Sequence, residues 1–186
     1  FDYYFISGDG FEEKMRKRNY AVTNYRTIGL PRSSYILSEK EFGQYKKYID
    51  IKKSSKLIVC YDLPTTDFFV SGLRGDMNTE YFLADLYRVL IKLAQELPDI
   101  YFVVKPKSLK IFGLTLYKKI EKRINEIKNF EVISDLKKYN PYKMANLADL
   151  IIGKCTNILE EAFSAGKPVI FYDNDKYIRS TDYVIN

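Results

Sequence analysis

An apolar run ending at Ile152 gives way to an amphipathic one starting at Ile158, and Gly153-Lys154-Cys155-Thr156-Asn157 lies between them. Gly153 permits a tight turn there. The backbone N–H groups of Thr156, Asn157 and Ile158 then open a helix. A helix N-terminus presents unsatisfied donors and partial positive charge, which suits a phosphate or diphosphate. Thr156 and Asn157 can add side-chain hydrogen bonds to such a ligand, or can simply cap the helix; both alternatives stand on the sequence. Glu161 follows Asn157 by one turn on the same helical face. A carboxylate there can accept two hydroxyl hydrogen bonds from a ribose, or can be a surface acid near the helix dipole. Lys105 closes another apolar run and is fixed by Pro106. Its ammonium can meet a phosphate as a point charge or sit in solvent.

Other chemistries are excluded or disfavoured. Histidine is absent from the 186 residues, which removes the Ser–His–Asp triad, the Cys–His dyad and any His-containing zinc site within this chain. Cys155 near a helix start would be stabilised as a thiolate but has no base. Cys60 and Cys155 form no disulfide framework and read as reduced, cytosolic thiols. Neither GxGxxG nor the GxxxxGK phosphate loop occurs, so NAD and P-loop sites are disfavoured. No metal ligand set is expected.

These residues need a scaffold, and the pattern supplies one. Apolar runs Lys56–Tyr61, Ile100–Lys105, Phe130–Ile133, Asp149–Ile152 and Pro168–Tyr172 have strand length. Helical patterns separate them. In Asn78–Leu97 the residues Phe82, Leu83, Leu86, Leu90, Leu93 and Leu97 keep a 3.6 period, with Asn78 or Thr79 as cap. Leu114–Lys128 carries an inner stripe of Tyr117, Ile120, Ile124 and Ile127. Asn140-Pro141 is an N-cap before a proline at N1, opening a helix through Leu147. Ile158–Ala165 ends at Gly166. Strands apolar throughout, alternating with helices, predict an α/β fold: a Rossmann-like open parallel sheet with helices on both faces. Ligands of such sheets bind at the carboxyl ends of the strands, here the loops Asp62–Asp76, Lys105–Lys110, Ser134–Asn140 and Gly153–Asn157.

Before Lys56 the pattern is less regular. Phe1–Ser7 reads as a strand, Gly10–Asn19 as a short polar helix, and Tyr25–Ile28 as an extended run broken at Gly29–Arg32. The chain opens on Phe1 in a strand already under way, so a longer protein is expected.

Lys+Arg 30 against Asp+Glu 24 gives +6, with 46% apolar residues, a globular composition. Eight basic and two acidic residues fall between Lys105 and Lys128, so that segment carries the whole excess. An anionic partner at Lys105–Lys110 is one reading; a solvated lysine-rich helix face over 117–128 is the other. No interleaved basic and aromatic pattern supports nucleic-acid binding. No apolar run approaches the ~18 residues that span a bilayer.

Ala148-Asp149-Leu150-Ile151-Ile152-Gly153, then Thr156-Asn157, Glu161-Ala162 and Gly166-Lys167-Pro168-Val169-Ile170, resembles a known signature. It is similar to the ADLVIG, hydroxyl-pair, EA and GKPVI signature in the C-terminal, donor-binding domain of GT-B-fold glycosyltransferases. The bacterial surface-polysaccharide transferases, the CDP-glycerol glycerophosphotransferase-like enzymes and the UDP-GlcNAc 2-epimerase-like group are the most similar. Ile28-Gly29-Leu30-Pro31-Arg32 resembles the G-x-PR segment entering that domain, and Phe1–Asn19 is similar to the last strand and helix of the N-terminal domain. The resemblance therefore implies residues 1–30 as the end of an N-terminal domain with its hinge, and residues 31–186 as the donor-nucleotide-binding Rossmann-like domain. The resemblance implies donor-phosphate contacts from Gly153, Thr156 and Asn157 and a ribose contact from Glu161. The family often has K-P-H-P after the second strand. Here Lys105-Pro106-Lys107-Ser108 stands in its place, so Lys107 replaces a histidine as a candidate phosphate contact.

What the resemblance implies is the donor-binding half of a glycosyltransferase or glycerophosphotransferase in bacterial surface polysaccharide synthesis, such as a capsule. Its donor would be a nucleotide-activated sugar or a CDP-alcohol, with no other cofactor. Its acceptor would be a glycan or lipid-linked glycan, and its catalytic base would lie in the absent N-terminal domain. A cytoplasmic location at the inner membrane face, with peripheral association through the absent part, is a further expectation. A UDP-sugar 2-epimerase-like enzyme and a non-catalytic nucleotide-binding module are the alternatives.

Overall fold

The computed structural model describes residues 4–6, 17, 25–28, 32–37, 43–62, 79–153 and 156–172. Apart from Lys17, the expected Gly10–Asn19 helix lies outside them, as do Gly29–Pro31, the loop from Leu63 to Asp76, the Asn78 cap, Lys154 and Cys155.

Two short strands, β1 (Tyr4–Ile6) and β2 (Tyr25–Thr27), pair in parallel as a separate two-stranded sheet. Then come α1 (Ser33–Leu37) and α2 (Lys46–Ile51). From there strand and helix alternate: β3 (Lys56–Tyr61), α3 (Thr79–Glu96), β4 (Ile100–Lys105), α4 (Thr115–Glu126), β5 (Phe130–Val132), α5 (Pro141–Leu147), β6 (Leu150–Gly153), α6 (Asn157–Ser164) and β7 (Val169–Phe171). The last five strands form one all-parallel sheet in the order β5-β4-β3-β6-β7. This is the expected Rossmann-like fold.

Apolar strands demand cover on both faces, and β3 shows how it is divided. Successive side chains of a strand point to opposite faces. Ile58 and Cys60 pack with Leu86, Tyr87 and Leu90 of α3 and with Tyr117 and Ile124 of α4. Leu57, Val59 and Tyr61 pack with Tyr48 of α2, Met144 and Ala145 of α5, and Leu159 and Ala162 of α6. Each wholly buried aliphatic side chain contributes about 1.5–3 kcal/mol. A charge at Val59 or Val103, both at 0% exposure, would therefore break the sheet. The basic residues Lys118, Lys119, Lys122 and Arg123 lie on the exposed side of α4, and Arg123 donates to Gln95 at 2.9 Å. Their charge is a solvated helix face.

The start of the sheet is braced, and this sets the register at its other end. The Asp149 carboxylate accepts from the Leu57 N–H at 2.8 Å, and the Asp149 N–H donates to the Leu57 carbonyl at 2.8 Å. Lys52 adds an ion pair to Asp149 at 3.1 Å. With Asp149 so engaged, β6 runs from Leu150 to Gly153, one residue later than the sequence pattern predicts. The chain steps outward from β3 to β4 to β5, then crosses to the far side of β3 for β6 and β7. At that reversal the connections leave β3 and β6 in opposite directions, which opens a crevice at their carboxyl ends.

Candidate functional site

Four strands end level at the crevice. Lys105 of β4 is in register with Tyr61 of β3, Tyr61 with Gly153 of β6, and Gly153 with Phe171 of β7. Gly153 is buried within the strand, so the expected turn role is corrected. A Cβ there would lie 2.6 Å from the Tyr61 carbonyl oxygen and 3.0 Å from Leu159 Cδ1. The glycine permits β3, β6 and α6 to approach closely. The Tyr61 hydroxyl donates to the Pro141 carbonyl at 2.6 Å, which draws the start of α5 to the same end.

Thr156 occupies the N-cap of α6 with extended backbone (φ −127°, ψ 143°), and its side chain makes no capping hydrogen bond. Its carbonyl accepts from the Leu159 N–H at 3.0 Å. Asn140 of α5 behaves differently: its Oδ1 accepts from the Tyr142 N–H at 2.9 Å and the Lys143 N–H at 3.4 Å. Asn157, the first residue of α6, is exposed, whereas Glu161 is buried at 5% exposure. The two thus share a helical face but not an environment. Glu161 is no surface acid, because α6 lies against α5 and α1. The Tyr142 hydroxyl donates to Glu161 and accepts from Arg32, and burial, then the Glu161 charge, raises its pKa. Tyr35 of α1 packs its ring 5.8 Å from that of Tyr142.

On the other side of the crevice Asp62, the residue after β3, is 2% exposed. Its Oδ1 accepts from the Lys107 backbone N–H at 2.5 Å, and its Oδ2 accepts from the Tyr87 hydroxyl at 3.3 Å. Burial pushes its carboxyl up to about 7, against those two hydrogen bonds and the charges of Lys105 and Lys107. Lys105 is buried at 7% exposure, with Nζ donating to the Leu136 carbonyl at 3.4 Å. Burial lowers its pKa, and the Asp62 carboxylate opposes that fall. The Lys107 side chain is exposed. The lysines thus differ: one is a buried cation beside a buried acid, the other a free-reaching ammonium on a tethered backbone.

The chain is similar to UDP-GlcNAc 2-epimerase from Neisseria meningitidis bound to UDP-GlcNAc, with a TM-score of 0.64 and 15% identity over 94% of this chain and 45% of that one. That likeness shows the fold alone, a Rossmann-like α/β domain with a five-stranded all-parallel sheet. The chain thus spans less than half the length of that epimerase. It is also similar to a variant of the wall teichoic acid polymerase TagF, with a TM-score of 0.49 and 20% identity over 95% of this chain and 41% of that one. Anabaena HepE in complex with UDP and glucose gives 0.46 and 11%, over 90% and 43%. No protein-family model and no curated protein matches the chain.

Sequence reasoning missed Asp62, Tyr87 and Tyr142 as members of the site. Asp62 is legible as the first residue of a strand-end loop, and an acid directly after an apolar strand was the available signal. Tyr87 and Tyr142 give no such signal. Each matters through a contact to a residue 19 to 25 positions away on another element.

Proposed function

We propose that this chain is the donor-binding part of a glycosyltransferase or glycerophosphotransferase that uses a nucleotide-activated sugar or a CDP-alcohol. What supports it is that α6 opens just beyond the end of β6 with an N-cap hydroxyl not engaged in capping, that Glu161 lies buried on that helix, and that the buried Lys105 ends β4 in register with Tyr61, itself in register with Gly153. In this reading Thr156, Asn157 and the first N–H groups of α6 face the donor phosphates, close to Gly153. Lys105 and Lys107 supply positive charge, and Glu161 accepts the ribose hydroxyls. The chemistry supplied is stabilisation of the departing nucleoside phosphate by fixed dipoles and cations as the bond to the transferred group breaks. The catalytic base and the acceptor, a glycan or lipid-linked glycan of a bacterial surface polysaccharide, belong to a preceding domain. Residues 1–30 are the end of that domain and its hinge. Among the described residues no helix is long and apolar enough to cross a membrane. Peripheral attachment to the inner face of the membrane, through the other part of the protein, belongs to this reading.

The likeness to the epimerase favours one second reading, a 2-epimerase-like enzyme on UDP-sugars. Products separate the two. The full-length protein is incubated with UDP-sugars and CDP-glycerol, with and without acceptor glycan. Acceptor-dependent release of nucleotide supports transfer. Acceptor-independent conversion of UDP-GlcNAc to its 2-epimer overturns it in favour of the second reading.

A further inference from the structure

Asp62 is a buried carboxylate at 2% exposure, and among its neighbours the Lys107 side chain is exposed. Cys60 and Tyr87 face it as neutral partners, since burial raises the pKa of each well above its ordinary value. Among the described residues, the charged groups facing it are Lys105 at the end of β4 and Lys107 two residues on. Its two carboxylate oxygens are already engaged, by the Lys107 N–H and the Tyr87 hydroxyl. What it reaches is the Lys107 backbone, at 2.5 Å. A hydrogen bond from a backbone amide to a carboxylate is charge-assisted, and this one fixes the path of the chain between β4 and the 3-10 turn Leu109–Gly113.

We propose that Asp62 is a positioning residue: it clasps the backbone of the Lys105–Lys107 loop, and its ionisation sets how much positive charge those lysines offer to a phosphate ligand. The inference rests on the donor-site reading for the ligand, but the clasp itself does not. With Asp62 ionised, the loop is held and the charge of Lys105 is compensated. A diphosphate arriving beside the lysines disfavours that carboxylate, so its binding draws a proton onto Asp62. The displaced charge then becomes available to the ligand. Affinity for a diphosphate diester, which does not itself titrate near neutrality, falls as the pH rises through the Asp62 midpoint.

The test has two arms. In the first, the Lys107 amide of the ¹⁵N-lysine-labelled chain, assigned by comparison with Lys107→Arg, is followed by NMR from pH 5 to pH 9. A titration step near neutrality is expected, absent in Asp62→Asn and shifted to higher pH in Tyr87→Phe, which keeps the carboxylate but removes a hydrogen bond to it. An amide that does not titrate, or that titrates equally in Asp62→Asn, overturns the proposal. In the second arm, calorimetry with UDP-GlcNAc and CDP-glycerol is run in buffers of different ionisation enthalpy. Uptake of a fraction of one proton and a several-fold loss of affinity from pH 6 to pH 8 are expected, both abolished in Asp62→Asn. Equal pH dependence in the two proteins overturns the link to the ligand. Absence of any binding at every pH counts against the donor-site reading, while the first arm still decides whether Asp62 governs the loop.

Discussion

Tyr61 and Gly153 stand side by side in register at the ends of β3 and β6, so close that a Cβ on Gly153 would meet the Tyr61 carbonyl oxygen at 2.6 Å. This pair is the floor of the crevice. Backbone cannot give way as a side chain can, so Gly153→Ala forces the strands apart. The expected loss is about 1–3 kcal/mol, read as a lower urea midpoint with unchanged slope. Nucleotide-donor affinity should fall with it. A variant as stable as the parent would show that the strands are not held this tightly.

Thr156 and Asn140 occupy the same position on their helices but do different work. Asn140 caps α5 through its Oδ1, whereas the Thr156 side chain makes no capping bond. Asn140→Ala should cost about 1 kcal/mol. Thr156→Val should stay within about 0.5 kcal/mol while donor affinity drops. Thermal melts and calorimetry on the two variants read both quantities. The reverse pattern would make Thr156 a structural cap.

Lys105 is buried and its charge is opposed by that burial. Lys105→Met keeps the apolar stem and removes the ammonium. Stability should fall, because the buried Asp62 carboxylate loses a cation that compensates it. Donor affinity should fall about tenfold, the loss expected of a charge-assisted contact of about 1.5 kcal/mol. Unfolding by denaturant and binding by calorimetry separate the two effects. A destabilised protein with unchanged binding would make Lys105 a purely structural counter-ion.

Stability should also depend on pH through Asp62, whose pKa is raised chiefly by burial to about 7 from an ordinary value near 4. The folded chain then binds more protons than the unfolded one between those values, so this group's contribution is full below about pH 4 and is lost as the pH rises through about 7. Relative to Asp62→Asn, the parent should lose several degrees of Tm between pH 5 and pH 8. A constant difference across that window would contradict the raised pKa.

The scaffold was more legible than the site. β3 and β4 appear at Lys56–Tyr61 and Ile100–Lys105 as the sequence predicts, because a strand buried on both faces is an unbroken apolar run. The Asn140-Pro141 start of α5 was equally plain, since cap and N1 proline are local signals. β6 moved by one residue because Asp149 is spent on Leu57, 92 positions away. The same distance problem hid Asp62, whose meaning lies in a bond to Lys107, and Tyr142, whose meaning lies between Arg32 and Glu161. Glu161 and Lys105 were visible as types at strand and helix ends, but their burial was not, since it depends on how α1, α5 and the loop after β5 close over them.

The central claim is that this crevice binds a nucleotide-activated donor with Glu161 on its ribose. Calorimetric titration of the full-length protein and of its Glu161→Ala variant with UDP-sugars and CDP-glycerol tests it most directly. Saturable binding of at least one donor, weakened about tenfold or more in the variant, is the predicted result. No binding of any donor, or binding that Glu161→Ala leaves unchanged, would contradict it.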